Sequence, residues 1–333
     1  MAFDYANGLC ERGHQVTILF LNEHALEAYK VPRFVKRIAC EYFTKKEPRW
    51  YELNPGIKKI SGLSENLTKE LADIDVYIAT EVRTAEFVKK ANPLAKKLYY
   101  IQDYETWIMP QEYVQKTYAY GFRNIVISSW LKGIVDAYAT EPSILIRNPV
   151  DTDIYKSVVP IQERYPHSIS FLYHNVEGKG TVYAIETVKK LKSRYPDLKA
   201  YAFGTIAKGD DLPSFVDYTY CATQAQTVEI YNKSTVFLCA SYKEGYGLTG
   251  LEAIACGAVL VSSNYQAVAE YAIDGVNALL APVKNVEELV KRVIKVFEDD
   301  SLKQRISDHA IETVRNRFSK ESALDAFEGA IIG

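Results

Sequence analysis

The sequence predicts an α/β protein made of two doubly wound units with parallel sheets. Three observations carry this reading. Short β-branched and apolar runs alternate with amphipathic stretches along the chain, the pattern of strands joined by crossover helices. The segment 148–166 holds three prolines and no sustained period, so it reads as a crossing between two units. The length of 333 residues suits two domains of roughly 150 residues each, although one large barrel would be of similar size.

The predicted strands, in order, are 15–21, 76–80, 98–102, 124–129, 143–148, 169–174, 200–204, 236–241, 258–263 and 278–283. The clearest helix is 287–297, where Leu289, Val290, Val293, Ile294 and Phe297 form one stripe at helical spacing. Residues 181–195 place Ile185, Val188 and Leu191 likewise. No internal repeat or low-complexity tract is visible.

Apolar residues make up 48% and charged residues 25%, the balance of a soluble globular chain, which excludes a disordered, collagen-like or coiled-coil protein. A net charge of −2 excludes a polybasic nucleic-acid binder. The longest uncharged stretch, 253–269, contains Gly257, Ser262, Ser263 and Asn264 and is no transmembrane helix. The first residues carry Asp4 and Glu11 without an apolar core, so no secretory signal is expected and the location is read as cytoplasmic. The five cysteines, Cys10, Cys40, Cys221, Cys239 and Cys256, are odd in number and widely spaced, so reduced, buried thiols are expected rather than disulfides or a zinc site.

The segment 29–59, from Tyr29 to Lys59, carries nine Lys/Arg against three acids, a net of +6, with Phe34, Tyr42, Phe43, Trp50 and Tyr51 interleaved. Either it is an irregular surface segment whose aromatics pack inward, or it is a patch that meets an anionic membrane surface or an anionic acceptor. Nucleic acid is not the expected partner, because neither half of the chain is strongly basic.

The most informative stretch is 236–256, VFLCASYKEGYGLTGLEAIAC. An apolar strand runs into a glycine-rich turn and then a short helix starting near Gly247 to Thr249. Glycines let the backbone approach a ligand closely, and the helix start offers free N–H groups and the positive end of the dipole, which together make a phosphate site. Glu252 is the one charge in that helix. It either accepts from the two hydroxyls of a ribose or stabilises the helix dipole from the first turns; both readings stand on the residues alone.

Gly245-Tyr-Gly-Leu-Thr-Gly250 is also a literal G-x-G-x-x-G, with Glu270 twenty residues after Gly250. A dinucleotide site needs the acid at the end of the next strand, whereas 258–263 runs out at Ser263-Asn264 and Glu270 falls in the next helix. That fingerprint also normally opens its domain, and this one follows several strands. An NAD(P)-dependent oxidoreductase is therefore the weakest of the readings carried forward.

Glu244-Gly-Tyr-Gly-Leu-Thr-Gly-Leu-Glu252 resembles the Glu-x7-Glu motif of the retaining glycosyltransferases of family 4, which have the GT-B fold. CGAVLVSSN and GVNALLAPVKNVEELVKRVIKVFEDDSLKQRI continue the resemblance. In the N-terminal half YANGLCERGHQVTILF is similar to the family's first helix and second strand. NIVISSWLKGIVDAY and RNPVDTDIY are similar to its last N-domain strand and linker. The resemblance runs from Tyr5 to Phe327. It implies a Rossmann-like acceptor domain over 1–150, a linker over 151–166 and a nucleotide-sugar-binding domain over 167–318. It further implies that a terminal helix over 319–333 packs back on the first domain and that the two domains face each other across a cleft. It also implies that the sequence opens inside the family's first helix, without the family's first strand and its Gly-rich loop.

The resemblance assigns roles residue by residue. Glu244 would bind donor-sugar hydroxyls. Gly245 and the backbone of Tyr246, Gly247 and Leu248 would meet the sugar and distal phosphate. Glu252 would hold the ribose. Lys179 matches the Lys of the family's diphosphate-binding basic pair, and His174 stands where that pair has Arg. The residues alone also allow Lys179 to be an exposed lysine before a helix, and His174 a hydrogen-bonded histidine ending a strand. Gly204, Cys221 and Ala222 would lie on the donor side, the last two near the base. Gln102-Asp103 replaces the family's His-Asp; Gln102 would position the sugar, and Asp103 and Glu105 would contact the acceptor. This variant resembles a subgroup that includes rhamnosyltransferases of bacterial surface polysaccharides. Tyr265 and Gln266 replace a glycine pair and are expected to narrow the donor pocket.

The implied reaction transfers a hexosyl or deoxyhexosyl group from a UDP-, dTDP- or GDP-sugar to a glycan or lipid-linked acceptor. It proceeds with retention, without a metal or further cofactor, and with peripheral contact at the inner face of the plasma membrane through 29–59. Since the implied first strand is not in the sequence, the alternative is a non-catalytic nucleotide-sugar-binding subunit or an inactive truncated homologue.

Overall fold

A computed structural model of the chain describes residues 1–21 and 30–333. Tyr29, the first residue of the basic aromatic segment, lies outside the described residues. The chain divides into two compact units. Unit 1 comprises Met1–Val126, Lys132–Ile146 and Leu324–Gly333; unit 2 comprises Ile127–Leu131 and Arg147–Ala323.

Unit 1 begins with α1 (Ala2–Glu11), β1 (Thr17–Phe20), α2 (Arg33–Lys46) and β2 (Lys58–Ser61). It continues through α3 (Leu67–Glu70), β3 (Val76–Ala79), α4 (Val82–Lys90), β4 (Lys96–Ile101), α5 (Gln111–Tyr118), β5 (Arg123–Val126), α6 (Ser129–Asp136) and β6 (Ile144–Leu145), with Ser129–Leu131 of α6 falling in unit 2. β1 pairs with β2, and a separate sheet has the order β3-β4-β5-β6; all pairings are parallel. β2 escapes sequence reading because its KKIS run is half charged, as suits a strand paired on one side only.

Helix α2 also departs from expectation. The basic aromatic segment contains a fourteen-residue helix rather than an irregular run. Its inner side buries Cys40 and Thr44, while Phe34, Ile38 and Tyr42, spaced four apart, are 58%, 58% and 53% exposed. Phe34, Tyr42, Phe43 and Trp50 are thus exposed, against the inward-packing alternative, whereas Tyr51 is half-buried, packs on Phe3 and donates to Asp4 Oδ1 at 2.9 Å.

Unit 2 holds β7 (Ser168–Leu172), α7 (Thr181–Arg194), β8 (Lys199–Gly204), β9 (Val216–Tyr220), α8 (Gln224–Lys233), β10 (Val236–Cys239), α9 (Leu248–Ala255), β11 (Val259–Ser263), β12 (Leu279–Ala281), α10 (Val286–Glu298) and α11 (Asp300–Arg317). Its sheet is parallel throughout, in the order β12-β11-β10-β7-β8-β9. β10 and β11 are buried along their whole length, which is why they read as unbroken apolar runs. β9 is an edge strand in which Val216 is buried while Asp217 and Tyr220 are exposed, so its VDYTY pattern gives no such run. α7 buries Ala184, Ile185, Val188 and Leu191, and α10 buries Leu289, Val293 and Phe297, the stripes read from the sequence.

The segment expected as a linker is held within unit 2. Buried Arg164 donates to the carbonyls of Val159, Tyr231, Ser234 and Cys256 at 2.6 to 3.1 Å. Removing a cation from water demands this many partners, and burial lowers its pKa to about 10. The last helix, α12 (Lys320–Ile332), enters unit 1 at Leu324. There Phe327 stacks on Tyr5 at 4.1 Å, and Lys96 and Arg123 donate to the carbonyls of Ile331 and Ala330 at the negative end of the helix. Cys40, Cys239 and Cys256 are buried, but Cys10 is half-buried and Cys221 exposed, so burial does not extend to all the thiols. No helix among the described residues is long and apolar enough to cross a membrane.

Candidate functional site

The sheet order of unit 2 locates a binding crevice before any side chain is considered. β8 and β9 lie to one side of β7, while β10, β11 and β12 lie to the other. Connections leaving β7 and β10 therefore run to opposite faces of the sheet, and the crevice opens beyond their carboxyl ends. The loop 173–180 follows β7, and the loop 240–247 follows β10.

Backbone contacts sew these loops together. The Gly178 carbonyl accepts from the amides of Tyr242 and Lys243 at 2.9 and 3.2 Å, and Ser241 Oγ donates to the Lys179 carbonyl at 3.4 Å. Gly180 has φ +64°, and a Cβ there would lie 2.0 Å from the Ala240 carbonyl oxygen, so glycine is required. The close approach brings Lys179 Nζ onto Glu244 Oε1 as a salt bridge between side chains only 27% and 11% exposed. The sequence-predicted phosphate cation and sugar-binding carboxylate are thus partners.

Gly247 caps the start of α9 in the left-handed region, at φ +91°, and directs the chain into the helix. The first amides of α9 have no intrahelical acceptor and, with the dipole, favour an anion at this end. One turn on, Glu252 Oε2 accepts from Tyr231 Oη at 3.1 Å, and Tyr155 Oη also bonds this carboxyl. Burial pushes the Glu252 pKa up to about 7 against the opposing effect of these two hydroxyls. Its position in the second turn of α9 and its hydroxyl partners depart from the dipole-stabilising alternative. The tyrosines were not singled out in the sequence; only the lone acid of an apolar helix signalled that hydroxyl partners were needed.

His174 departs from a cationic role. Its Nδ1 accepts from the Val176 amide at 3.0 Å, which requires an unprotonated Nδ1, and burial followed by the charge of Lys179 lowers its pKa. A neutral His174 has only its Nε2–H to donate. Gly204 ends β8 against the Tyr173 carbonyl, where a Cβ would lie 2.0 Å from the oxygen. The Gly204 carbonyl accepts from the amide of Cys221, itself at φ +48° after β9, so Gly204 and Cys221, followed by Ala222, meet at the carboxyl ends of β8 and β9.

Two further expectations change. Tyr265 does not narrow a pocket: its side chain is 1% exposed and lies beneath Gly247. Glu270 accepts from the Ser129 amide at 2.5 Å and from Arg147 Nε at 2.7 Å, a buried carboxylate engaged by its own unit rather than presented to a dinucleotide ribose. The glycine-rich turn moreover follows β10, not β7, the first strand of that sheet.

In unit 1, Gln102 and Asp103 follow β4. Gln102 Nε2 donates to the Thr80 carbonyl at 3.4 Å, and Asp103 Oδ1 accepts from the Tyr104 amide at 2.7 Å. Glu105 is buried and accepts from the Val82 amide at 2.7 Å, capping the start of α4, so its assignment to an acceptor is replaced by a structural one.

Residues 166–313 match the family model of glycosyl transferases group 1. An uncharacterized glycosyltransferase, MJ1069, of Methanocaldococcus jannaschii is 26% identical over 146 residues, 43% of this chain and 33% of that protein. The N,N'-diacetylbacillosaminyl-diphospho-undecaprenol alpha-1,3-N-acetylgalactosaminyltransferase of Campylobacter jejuni is 29% identical over 93 residues, 28% of this chain and 25% of that protein. The chain thus spans a third or less of the length of these curated relatives. Among solved structures, Anabaena Alr3699/HepE in complex with UDP and glucose superposes with a TM-score of 0.74 at 14% identity, covering 99% of this chain and 94% of that one. The chain therefore has the GT-B fold of two Rossmann-like domains, and the greater part of its unit 2 matches the family of glycosyl transferases group 1.

Proposed function

We propose that the chain is a retaining glycosyltransferase that moves a hexosyl or deoxyhexosyl group from a nucleoside-diphosphate sugar to a hydroxyl of a glycan or lipid-linked acceptor. The observation that carries this is the meeting of Lys179, Glu244 and the start of α9 at the switch point of unit 2. A cation and helix amides suit a diphosphate, and a carboxylate beside them suits sugar hydroxyls.

In this reading the diphosphate displaces Glu244 from Lys179, and the freed carboxylate accepts from the donor sugar. The bond from the anomeric carbon to the phosphate oxygen breaks with oxocarbenium character. The acceptor oxygen bonds that carbon from the same face, and its proton passes to the departing phosphate. Lys179 and the α9 amides stabilise the charge that builds on the leaving group, the part a metal plays elsewhere. His174 contributes a neutral donor, Glu252 holds the ribose, and Gly204, Cys221 and Ala222 flank the base. Gln102 and Asp103 keep the sugar and acceptor assignments.

The test is turnover. Purified chain is supplied with UDP-, dTDP- and GDP-sugars and a set of glycan and polyprenyl-diphosphate acceptors, and release of nucleoside diphosphate is followed. Acceptor-dependent release that Lys179→Ala abolishes is expected. Binding of a sugar nucleotide without turnover on any acceptor selects a non-catalytic subunit instead. Stabilisation by NAD(P) alone selects an oxidoreductase.

We also propose that α2 is the surface that meets the membrane carrying such an acceptor. Phe34, Ile38 and Tyr42 form an exposed apolar stripe beside exposed Lys45 and Lys46, the arrangement that suits an anionic bilayer. The chain should sediment with phosphatidylglycerol vesicles and not with phosphatidylcholine vesicles, and the triple replacement of these three residues by Ser should abolish this. Equal partition of wild type and triple variant would remove the proposal.

A further inference from the structure

Beneath the loop 244–248 lie two tyrosines, Tyr265 and Tyr271, each 1% exposed. Their hydroxyls are 2.7 Å apart. Tyr271 Oη donates to the Gly247 carbonyl at 2.9 Å, and Tyr265 Oη lies 3.4 Å from the Tyr246 carbonyl. Each phenol has one proton. Tyr271 spends its proton on Gly247, so the short contact between the hydroxyls is donated by Tyr265. The result is a chain from Tyr265 to Tyr271 to the Gly247 carbonyl.

The geometry of the peptide bond turns this chain into a statement about the opposite side of the loop. In a trans peptide the carbonyl and the amide N–H point in opposite directions. The Gly247 carbonyl faces inward to Tyr271, so the Leu248 N–H of the same peptide faces away from it. The Tyr246 carbonyl faces Tyr265, so the Gly247 N–H faces away likewise. Hydrogen bonds in a chain polarise one another, which makes the Leu248 N–H a stronger donor. The fit is close: a Cβ on Gly247 would stand 1.9 Å from Tyr265 Oη, and one on Gly250 would stand 2.5 Å from Tyr271 Oη. The hydroxyls fill the space that the two glycines leave.

We propose that Tyr265 and Tyr271 are positioning residues for an anionic ligand. Tyr271, donating to the Gly247 carbonyl, and Tyr265, donating to Tyr271, fix the Gly247–Leu248 peptide so that the Leu248 amide is presented to the distal phosphate of a nucleoside diphosphate. The proposal rests on the reading of the loop 244–248 as a diphosphate site.

The test compares a nucleoside diphosphate with its monophosphate, because a structural role alone lowers stability without changing the preference between them. Kd values for UDP and UMP, dTDP and dTMP, and GDP and GMP are measured on wild type, Tyr265→Phe, Tyr271→Phe and the double variant. Wild type should prefer the diphosphate of one base. Tyr271→Phe should lose about tenfold of that preference, and the double variant more, with monophosphate affinity kept. If the double variant fails to fold, the two single variants carry the test. An unchanged preference in folded variants overturns the positioning role while leaving the diphosphate site standing. Absence of any diphosphate preference in wild type overturns the functional reading itself.

Discussion

Glu105 in unit 1 and Glu252 in unit 2 are both carboxyls that burial pushes up to about 7, yet their surroundings differ in kind. Glu105 gives an oxygen to the Val82 amide and so completes a helix. Glu252 is held by phenol hydroxyls, partners that leave it able to accept from further hydroxyls. The same contrast runs through the two units. The turn after β4 carries Gln102, which donates to the Thr80 carbonyl, and Asp103, which accepts from the neighbouring Tyr104 amide. The turns after β7 and β10 are bound to each other through Gly178, Gly180 and Ser241 before any ligand arrives. A perturbed carboxyl is thus a weak pointer to function on its own. What separates a site from a cap is whether the backbone around it has been arranged to leave groups facing outward.

The largest expected effect compares two left-handed glycines of unit 2. Gly247→Ala puts a Cβ against Tyr265 and forces a strained φ, whereas Gly275, at φ +73°, has nothing within 4 Å of an added Cβ. Gly247→Ala should lower transfer more than about a thousandfold, and Gly275→Ala should keep activity at a cost of about 1 kcal/mol in stability. Similar losses for the two would show that the loop is not built around Gly247.

Lys179→Ala should lower kcat by about a hundredfold or more, as expected for a cation at a developing charge, while Gln102→Ala should lower it about tenfold or less. The reverse order would move the electrostatic centre to unit 1. Urea unfolding checks a third contrast. Arg164→Met strands several buried carbonyls and should cost unit 2 about 3 kcal/mol. Arg12, which pairs with Asp325 and Glu328 in unit 1 at 25% exposure, should be replaceable by Met at smaller cost.

The smallest effect is in pH, and it separates the two carboxyls. Each binds its proton more tightly in the folded chain than at its ordinary value of 4.5, so ligand-free stability falls as pH rises from about 4.5 to about 7. Glu252→Gln and Glu105→Gln should each reduce that slope. A ribose diol needs the ionised carboxylate, so sugar-nucleotide affinity should fall as pH drops below about 7, by about tenfold per unit at most. Glu252→Gln should abolish that dependence and Glu105→Gln should leave it intact.

How legible the molecule was in its sequence follows the same division. β10, α9 and β11 were read directly because burial on both faces leaves unbroken apolar runs, and the glycine-rich turn because its conformation excludes side chains. β2 and β9 were not, since edge strands need no apolar run on their open side. The roles of Lys179 and Glu244 are what the resemblance implies, but their pairing comes from the close approach of two loops 65 residues apart. Tyr155, Tyr231 and Tyr271 carry no local signal, because a phenol among many tyrosines becomes informative only when its hydroxyl partner is known. The segment 29–59 shows its charge and aromatics in the sequence, yet only the register of α2 shows that the apolar stripe faces outward.

The central claim is that the switch point of unit 2 holds a nucleoside diphosphate between Lys179, the start of α9 and Glu252. Isothermal titration of UDP, dTDP and GDP into the wild-type chain and Glu252→Gln tests it most directly. One of these nucleotides should bind one-to-one, weakened about tenfold or more by Glu252→Gln. Absence of binding by all three, or equal affinity in the two proteins, would contradict it.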